Sequence, residues 1–195
     1  ELDFEELSNN HQKTIRNHIT EIAGKLFGLF YLKDNTVFES ESSAKLIQDN
    51  DQPAFFKNLC LNFQFPNGTQ KIQSIQERIE NHIKLKPFHF ILSLLKIAKT
   101  KSILITNDDI EYYVLNAKDV LQGKISPNEV FNTIIERRKK GIEKKVERGT
   151  RHRQHLKEQI NLLQLSNLIR VNGDIVTLNS FENIAIELFT KELKT

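Results

Sequence analysis

Apolar residues recur at helical spacing over residues 11–27, with a polar face opposite them, and this pattern predicts an amphipathic helix that Gly28 ends. The next segment, LFYLKDNTVFES, alternates apolar and polar residues around the short polar run 33–35. Alternation on both sides of a polar turn predicts a β-hairpin. SESSAKLIQ follows with the composition of a capped helix start, so the chain is predicted to open as helix, hairpin and helix.

The C-terminal part of the chain repeats this order. Residues 150–165 space leucine and isoleucine as one helical face, and LIRV-NG-DIVTL then predicts a hairpin with Asn172 and Gly173 at its turn. SFENIAIELFTKEL predicts a closing helix capped by Ser180. Both ends of the chain therefore share strand, polar turn, strand and capped helix, which predicts two winged-helix units.

The segment between these units, residues 53–125, is predicted to be mainly helical. QPAFFKNLCLNFQ and SIQERIENHI have helical spacing, and Pro87 opens the buried helix PFHFILSLLKIAKT. Thr106 is predicted to cap TNDDIEYYVLNAKDVL. Ser126 and Glu129 then form a capping-box pattern, which predicts the start of a long helix that runs into the strongly basic segment after it.

Together these elements predict a mainly α fold with small β-wings, in the α+β class. The tandem winged-helix units flank the helical middle region. Three parts are expected: an N-terminal winged-helix unit, the middle region, and a basic helix with a C-terminal winged-helix unit, at residues 1–52, 53–125 and 126–195.

Composition narrows the class of protein. The 195 residues are 38% hydrophobic and 27% charged, as in soluble globular proteins, and the apolar stretch FHFILSLLKIA is far shorter than the ~20 residues of a membrane helix. ELDFEELSNN is acidic and polar, unlike a signal peptide. The single cysteine, Cys60, excludes an internal disulfide framework and favours a cytoplasmic location. Because no methionine occurs, we expect a fragment or a processed product.

Positive charge is concentrated in residues 137–157, here called the basic block. Its sequence, RRKKGIEKKVERGTRHRQHLK, holds ten Lys or Arg against two Glu. The block carries +8 while the whole chain carries +3, so the other residues sum to −5. Exposed helices commonly alternate charges to gain i,i+4 pairs, and this one does not. A basic helix that leads into a wing favours contact with a nucleic-acid backbone; the alternative is a solvated surface helix.

Candidate DNA-contacting side chains fall into four groups. The first part of the basic block is predicted to hold phosphates through Arg137, Arg138, Lys140, Lys144, Lys145 and Arg148. The start of the next helix is predicted to reach base edges, where Arg suits guanine and Gln suits adenine, through Arg151, His152, Arg153, Gln154 and Lys157. The first helix of the chain presents a similar polar face with Gln12, Lys13, Arg16, Asn17 and Thr20. The predicted wings add Lys33, Arg170 and Asn172.

No catalytic constellation is predicted within the chain. Glu143-x-Lys145 matches the spelling of a metal-dependent nuclease motif, but it falls on a predicted helix and not on a strand. Asp108, Asp109 and Glu111 form an acidic cluster at a predicted helix start, where acids are expected for structural reasons. The chain also has no Gly-rich phosphate loop and no nucleophile elbow.

The six histidines are not predicted to form a metal site. His152 and His155 are three residues apart but have no third ligand nearby and lie among cations. His89 lies in an apolar stretch, where a hydrogen-bonded core histidine is expected. The phenylalanines of the middle region are likewise expected to form a core and not to stack on bases.

Five segments in order resemble the DNA-recognition regions of type II restriction endonucleases, particularly the type IIS enzymes. The segments are LNFQFPNG, KLKPFHFILSLLKIA, ILITNDDIEYYVLNAKDV, IIERRKKG and VNGDIVTLN. The resemblance implies tandem winged-helix subdomains that read a DNA sequence, while a separate nuclease domain cuts. It also implies that Mg²⁺ belongs to that nuclease domain, and nothing in this chain corresponds to the nuclease core.

The predicted function is therefore sequence-specific binding of double-stranded DNA, as a monomer without a cofactor and without a membrane. Two other functions fit the same pattern. A winged-helix transcription regulator or replication initiator would bind a palindromic site as a dimer. A winged-helix protein-interaction scaffold would not bind DNA at all.

Overall fold

The computed structural model describes residues 9–68, 70–142 and 150–191. The chain divides into two compact units: Glu1–Asp51 with Asn67–Ile75, and Gln52–Pro66 with Gln76–Thr195. Helices dominate both units, and the strands form two small antiparallel sheets. The structure thus confirms the mainly α fold with small β-wings. The division into three domains stays a prediction.

The first unit has the predicted order of helix, hairpin and helix. Its elements are α1 Asn9–His18, which continues as a π-helical segment Ile19–Leu26, then β1 Phe30–Lys33, β2 Thr36–Glu39 and α2 Glu41–Asp49. Gly28 follows the helix with a φ of +62°, a left-handed conformation that favours glycine. Ser40 caps α2 by accepting a hydrogen bond from the Ser43 amide at 3.1 Å. The sequence pattern located all four elements correctly.

The hairpin of the first unit turns on two residues. Lys33 pairs with Thr36, and Asp34 and Asn35 between them have φ values of 50° and 59°. Positive φ at both central residues is the arrangement of a type I′ turn, which matches the twist of the flanking strands. Tyr31 and Phe38 stack across the strands with ring centroids 5.5 Å apart. None of the described residues of this unit is fully buried.

The second unit contains the hydrophobic core of the chain. Its helices are α3 Gln52–Asn62, the end of α4 Ile72–Glu80, α5 Pro87–Thr100, α6 Asn107–Ile110 with a π-helical continuation Glu111–Leu115, α7 Lys118–Leu121, α8 Pro127–Lys139, α9 Thr150–Leu165 and α10 Asn183–Lys191, which follows a 3₁₀ turn at Ser180–Glu182. Residues 87–95 of α5 are all buried. Because α3, α8, α10 and a strand all contact it, α5 forms the centre of the unit.

A buried histidine joins three of these helices. One ring nitrogen of His89 on α5 lies 2.8 Å from the carbonyl oxygen of Phe189, and the other lies 2.9 Å from that of Leu61. The two carbonyls belong to the last turns of α10 and α3. The predicted hydrogen-bonded core histidine is therefore confirmed.

The sheet of the second unit has three strands, β3 Ile105–Thr106, β4 Ile169–Asn172 and β5 Ile175–Leu178, in the order β3-β5-β4. All neighbours are antiparallel, and Ile105 pairs with Val176 while Val171 pairs with the same residue from the other side. The predicted hairpin is confirmed, whereas the short strand β3 from the preceding helical segment was not predicted. Helices α5 and α9 with this sheet have the layout of a winged helix.

Three local predictions were wrong. The helix that starts at Ser126 ends at Lys139, because Gly141 takes a φ of +65° after the C-cap Lys140, so the basic block is not one continuous helix. The turn of the second hairpin is formed by Gly173 and Asp174, since Asn172 already pairs with Ile175.

The third error concerns the last helix. Asn179, and not Ser180, caps the 3₁₀ turn before α10, and its side-chain oxygen accepts a hydrogen bond from the Phe181 amide at 3.3 Å. Asn179 also donates from its amide nitrogen to the Asn167 carbonyl at 2.8 Å. One side chain therefore holds both the helix start and the backbone at Asn167, two residues before β4.

Candidate nucleic-acid interface

Helix α9 is the element that leads into the second wing. Its C-terminal half is amphipathic. The buried residues are Gln159, Ile160, Leu162 and Leu163, together with Ser166, which directly follows the helix. The exposed polar residues are Lys157, Glu158, Asn161 and Gln164. The predicted base-reading residues Arg151, His152, Arg153 and Gln154 lie on the helical backbone of α9, but their side chains fall outside the described part of the structure. The described exposed face adds Asn161 and Gln164, two amides that the sequence analysis did not select.

The end of α8 carries the first residues of the basic block. Arg137 is half-buried, with its guanidinium carbon 5.9 Å from the ring centroid of Tyr112 and 5.5 Å from that of Tyr113. Lys139 and Lys140 are exposed. Because cation–π contact orients a guanidinium without neutralising it, Arg137 keeps its charge available at this surface. Lys144, Lys145 and Arg148 lie outside the described residues.

Arg138 has internal hydrogen-bond partners. Its guanidinium donates to the Leu104 carbonyl at 2.9 Å and to Oδ2 of Asp109 at 2.5 Å. The same carboxylate oxygen accepts from the backbone amide and the hydroxyl of Thr106, both at 2.9 Å, which forms the capping box of α6. The end of α8 is thereby joined to the junction of β3 and α6. This confirms the predicted Thr106 cap and gives Arg138 a structural contact, while its phosphate contact stays a prediction.

The second wing presents its candidates on β4. The Arg170 side chain is exposed, and its guanidinium carbon lies 5.5 Å from the ring centroid of Phe181. Asn172 is exposed at the strand end next to the turn. The backbone amide of Asn107 donates to the Asp174 carbonyl at 2.8 Å, so the turn is attached to the start of α6. The wing therefore has a fixed orientation within this unit.

The candidates of the first unit lie on α1, its π-helical continuation and the end of β1. Lys13, Thr20 and Lys33 are exposed, and Gln12 is half-buried. Arg16 and Asn17 belong to α1, but their side chains fall outside the described part. The side chains described here thus offer polar groups to solvent, as the helical pattern predicted.

A cleft of about 260 Å³ lies between α9, the start of α6 and the second wing. Lys157, Asn161 and Gln164 of α9 line it, and Asn107, Asp108, Glu111 and Asp174 face them from the other elements. Glu111 is only 2% exposed, and its Oε1 has no hydrogen-bond partner among the residues that the structure describes. Asp108, Asp109 and Glu111 lie together at the predicted helix start, but among these three only Asp109 acts as the capping acid.

Within the part of the chain that the structure describes, no group of three or more His, Cys, Asp or Glu residues is placed to hold a metal ion. No helix in the same part is long and apolar enough to cross a membrane.

The sheet order and the helix before the wing define the second unit as a winged-helix module. Lys139 and Lys140 at the end of α8 and Lys157 on α9 are exposed bases of this module. A family model described as the N-terminal domain of the restriction endonuclease BpuJI matches residues 2–195, and the chain therefore belongs to this family. No curated protein matches the chain.

One solved structure is similar over most of the chain. It is a crystal structure of pyrene- and phenanthrene-modified DNA in complex with the BpuJ1 endonuclease binding domain. The two sequences are 45% identical, the TM-score is 0.88, and the match covers 96% of this chain and 68% of the other. This degree of identity supports a common fold throughout the matched part.

Proposed function

We propose that this chain binds double-stranded DNA in a sequence-specific manner, as the recognition domain of a restriction endonuclease. The observation that carries the proposal is the similarity, at 45% identity over 96% of this chain, to a binding domain that was crystallised with DNA. The match of the BpuJI N-terminal family over residues 2–195 supports the same assignment. The proposal therefore rests on relatives and on the surface described above.

The charge distribution supports contact with a polyanion. The basic block carries +8 in a chain whose other residues sum to −5, and Arg137 and Lys140 are placed at the end of α8 with Lys157 exposed on α9. A protein that neutralises phosphates with such residues releases counterions, so its affinity falls steeply as salt rises. We propose that these side chains contribute the sequence-independent part of the affinity.

Base recognition would come from the start of α9. In helix-turn-helix proteins, the N-terminal residues of the recognition helix contact base edges in the major groove. We assign this role to Arg151, Arg153 and Gln154, with guanine and adenine as the bases that suit those side chains. The polar face of α1 would read or hold a second part of the same duplex.

We expect DNA binding to need no cofactor and one copy of the chain per site. Mg²⁺ would serve a nuclease part and not the recognition surface, since carboxylates that hold a metal beside a scissile phosphate belong to the cutting reaction. A recognition domain that binds as a monomer suits an asymmetric site. A cytoplasmic location would match the compartment in which a restriction enzyme meets its DNA.

The experiment is a selection from randomised duplexes, followed by anisotropy titrations of the selected site and of a scrambled duplex at several salt concentrations. The wild-type chain should prefer the selected site, with affinity that falls linearly on a log–log plot against salt. Arg151→Ala with Arg153→Ala should lose roughly tenfold or more in preference for the selected site.

The matched control is Lys99→Ala with Lys101→Ala, which removes two exposed positive charges at the same spacing at the end of α5. This control should change the affinity for both duplexes little. If the Arg151 and Arg153 double variant keeps the preference of the wild type, these residues do not read bases. If the wild type shows no sequence preference, the proposed recognition function is wrong.

A further inference from the structure

Glu111 is buried, and one of its two carboxylate oxygens makes no hydrogen bond within the described residues. It is 2% exposed, its Oε1 has no hydrogen-bond partner in the part of the chain that the structure describes, and it lines the cleft beside α9. Oδ1 of Asn107 is likewise buried without a partner among the described residues, and Asn107 lines the same cleft. Buried polar groups in proteins are nearly always satisfied, and an isolated buried charge is costly unless a cation or a donor accompanies it. Two unsatisfied acceptors at one cleft therefore indicate a missing donor.

The other walls of the cleft restrict the chemistry of that donor. Asp108 and Asp174 add two carboxylates, yet no three acidic side chains within the described residues are close enough to share a metal ion. Leu156, Ile160 and Val171 form an apolar wall of the same cleft. A lining that combines carboxylates with apolar side chains suits a ligand that carries positive charge on a hydrocarbon stem.

We propose that this cleft is a binding site for an aliphatic ammonium group. A primary ammonium has three donors and no acceptor, so it would donate to Glu111 Oε1 and to Asn107 Oδ1 at once. Its methylene groups would lie along Leu156 and Ile160, as the stems of lysine side chains lie along apolar surfaces. The cleft has a volume of about 260 Å³, whereas a single water needs only roughly 15 Å³, so the cleft has room for such a stem.

The ammonium can come from two sources. One is a free diamine or polyamine from solution. The other is Lys157, which is exposed on α9 and lines the same cleft. In the second case the ammonium would be shared between the cleft and the DNA phosphate that Lys157 is predicted to contact. The site itself does not depend on the proposed DNA function, because it is defined by Glu111 and Asn107.

The test is calorimetric titration of the whole chain with putrescine, without DNA and at constant ionic strength. Wild type, Glu111→Gln, Lys157→Met and Glu158→Gln are compared. Glu158 is an exposed acid on α9 that does not line the cleft, so its variant controls for the loss of one negative charge. Glu111→Gln should weaken putrescine binding by roughly tenfold, whereas Glu158→Gln should leave it within about twofold of the wild type.

Lys157→Met separates the two sources. Tighter putrescine binding in this variant than in the wild type means that Lys157 occupies the cleft in the free protein. Equal binding means that free amines occupy it, and both results support an ammonium site. Asp174→Asn is the second variant if Glu111→Gln does not fold, and it should also weaken binding. The proposal is overturned if neither the wild type nor Lys157→Met binds putrescine saturably, or if Glu111→Gln and Glu158→Gln weaken binding equally.

Discussion

The Arg138 guanidinium and the Asp109 carboxylate form an ion pair, in which Nη2 lies 2.5 Å from Oδ2. The pair joins the end of α8 to the capping box at the start of α6, and the arginine also holds the Leu104 carbonyl. Asp109 is buried, whereas the Arg138 side chain is 36% exposed. A single arginine thus links the first residues of the basic block to the base of the winged-helix sheet.

The sequence pattern predicts a phosphate contact for Arg138, but its contacts within the protein lead us to predict that Arg138→Ala lowers thermal stability and leaves the salt dependence of DNA binding close to that of the wild type. The Arg138 guanidinium already has two protein acceptors. The substitution therefore removes the link between the end of α8 and the start of α6, and not a contact with a phosphate. Lys140→Ala is the matched variant: Lys140 is exposed in the same segment, and its loss should reduce the salt slope by about 0.9 with little change in stability. The two variants are compared by thermal unfolding and by titrations across salt. A slope reduced equally by Arg138→Ala would mean that this arginine leaves Asp109 to contact phosphate.

We predict that Phe181→Ala changes stability only slightly and has a larger effect on the orientation of the Arg170 side chain in the second wing. Phe181 is 84% exposed, and its ring lies beneath the Arg170 guanidinium. An exposed cation–π contact is worth about 0.5–1 kcal/mol, so Phe181→Ala should lower the free energy of unfolding by no more than that. Urea unfolding measures the change, and DNA titration of the same variant shows whether a mobile Arg170 weakens binding. A loss of several kcal/mol would mean that Phe181 is buried by a contact not described above.

We predict an acid-dependent stability contribution from Glu129. Hydrogen bonds from the Ser126 hydroxyl and then from its backbone amide lower the pKa of the Glu129 carboxyl. A lowered pKa in the folded state means that the contribution is present above the ordinary pKa and is lost as pH falls through the lowered value. Thermal unfolding between about pH 7 and pH 3 should therefore depend less on pH in Glu129→Gln than in the wild type. Glu136→Gln, an exposed acid on the same helix, should keep the pH dependence of the wild type.

We predict that Cys60 is unreactive in the folded chain. Burial raises the pKa of the Cys60 thiol to about 12, and a hydrogen bond with Ser166 only partly opposes this effect. Since the thiolate is the reactive species, labelling by iodoacetamide at mildly alkaline pH should follow the unfolded fraction of the protein. Labelling is compared with and without denaturant. Rapid modification of the native chain would contradict the buried position of this side chain.

Helix starts, helix caps and hairpins could be predicted from the sequence because their signals lie in neighbouring residues. The helix start at Pro87, the N-cap at Thr106, the capping box at Ser126 and both hairpins are recognisable within a few residues of sequence, and the structure has each of them. Strand β3 was missed because it consists of two residues, and its strand character arises from pairing with Val176, far along the chain. No local pattern carries that information.

The site was predicted less completely than the fold. The continuous run of bases obscured the stop signal at Gly141, which ends α8 by its left-handed backbone conformation. The roles of the three acids near α6 could not be separated from sequence either: Asp109 caps the helix, while Asp108 and Glu111 line the cleft. The role of each acid depends on how α8 and α9 pack around this segment, and the spacing within the acidic run carries no information about that packing.

His89 couples the stability of α10 to that of the core helices α3 and α5. Its ring nitrogens lie against carbonyls of α3 and α10, which are distant in sequence. If α10 detached from the unit, the contact between the His89 ring and the Phe189 carbonyl would break. The packing of α5 against α3 would be disturbed at the same time. The winged-helix module should therefore open as one block, so the amide protons of α10 should exchange with solvent at rates close to those of α5 and not as those of a fraying tail.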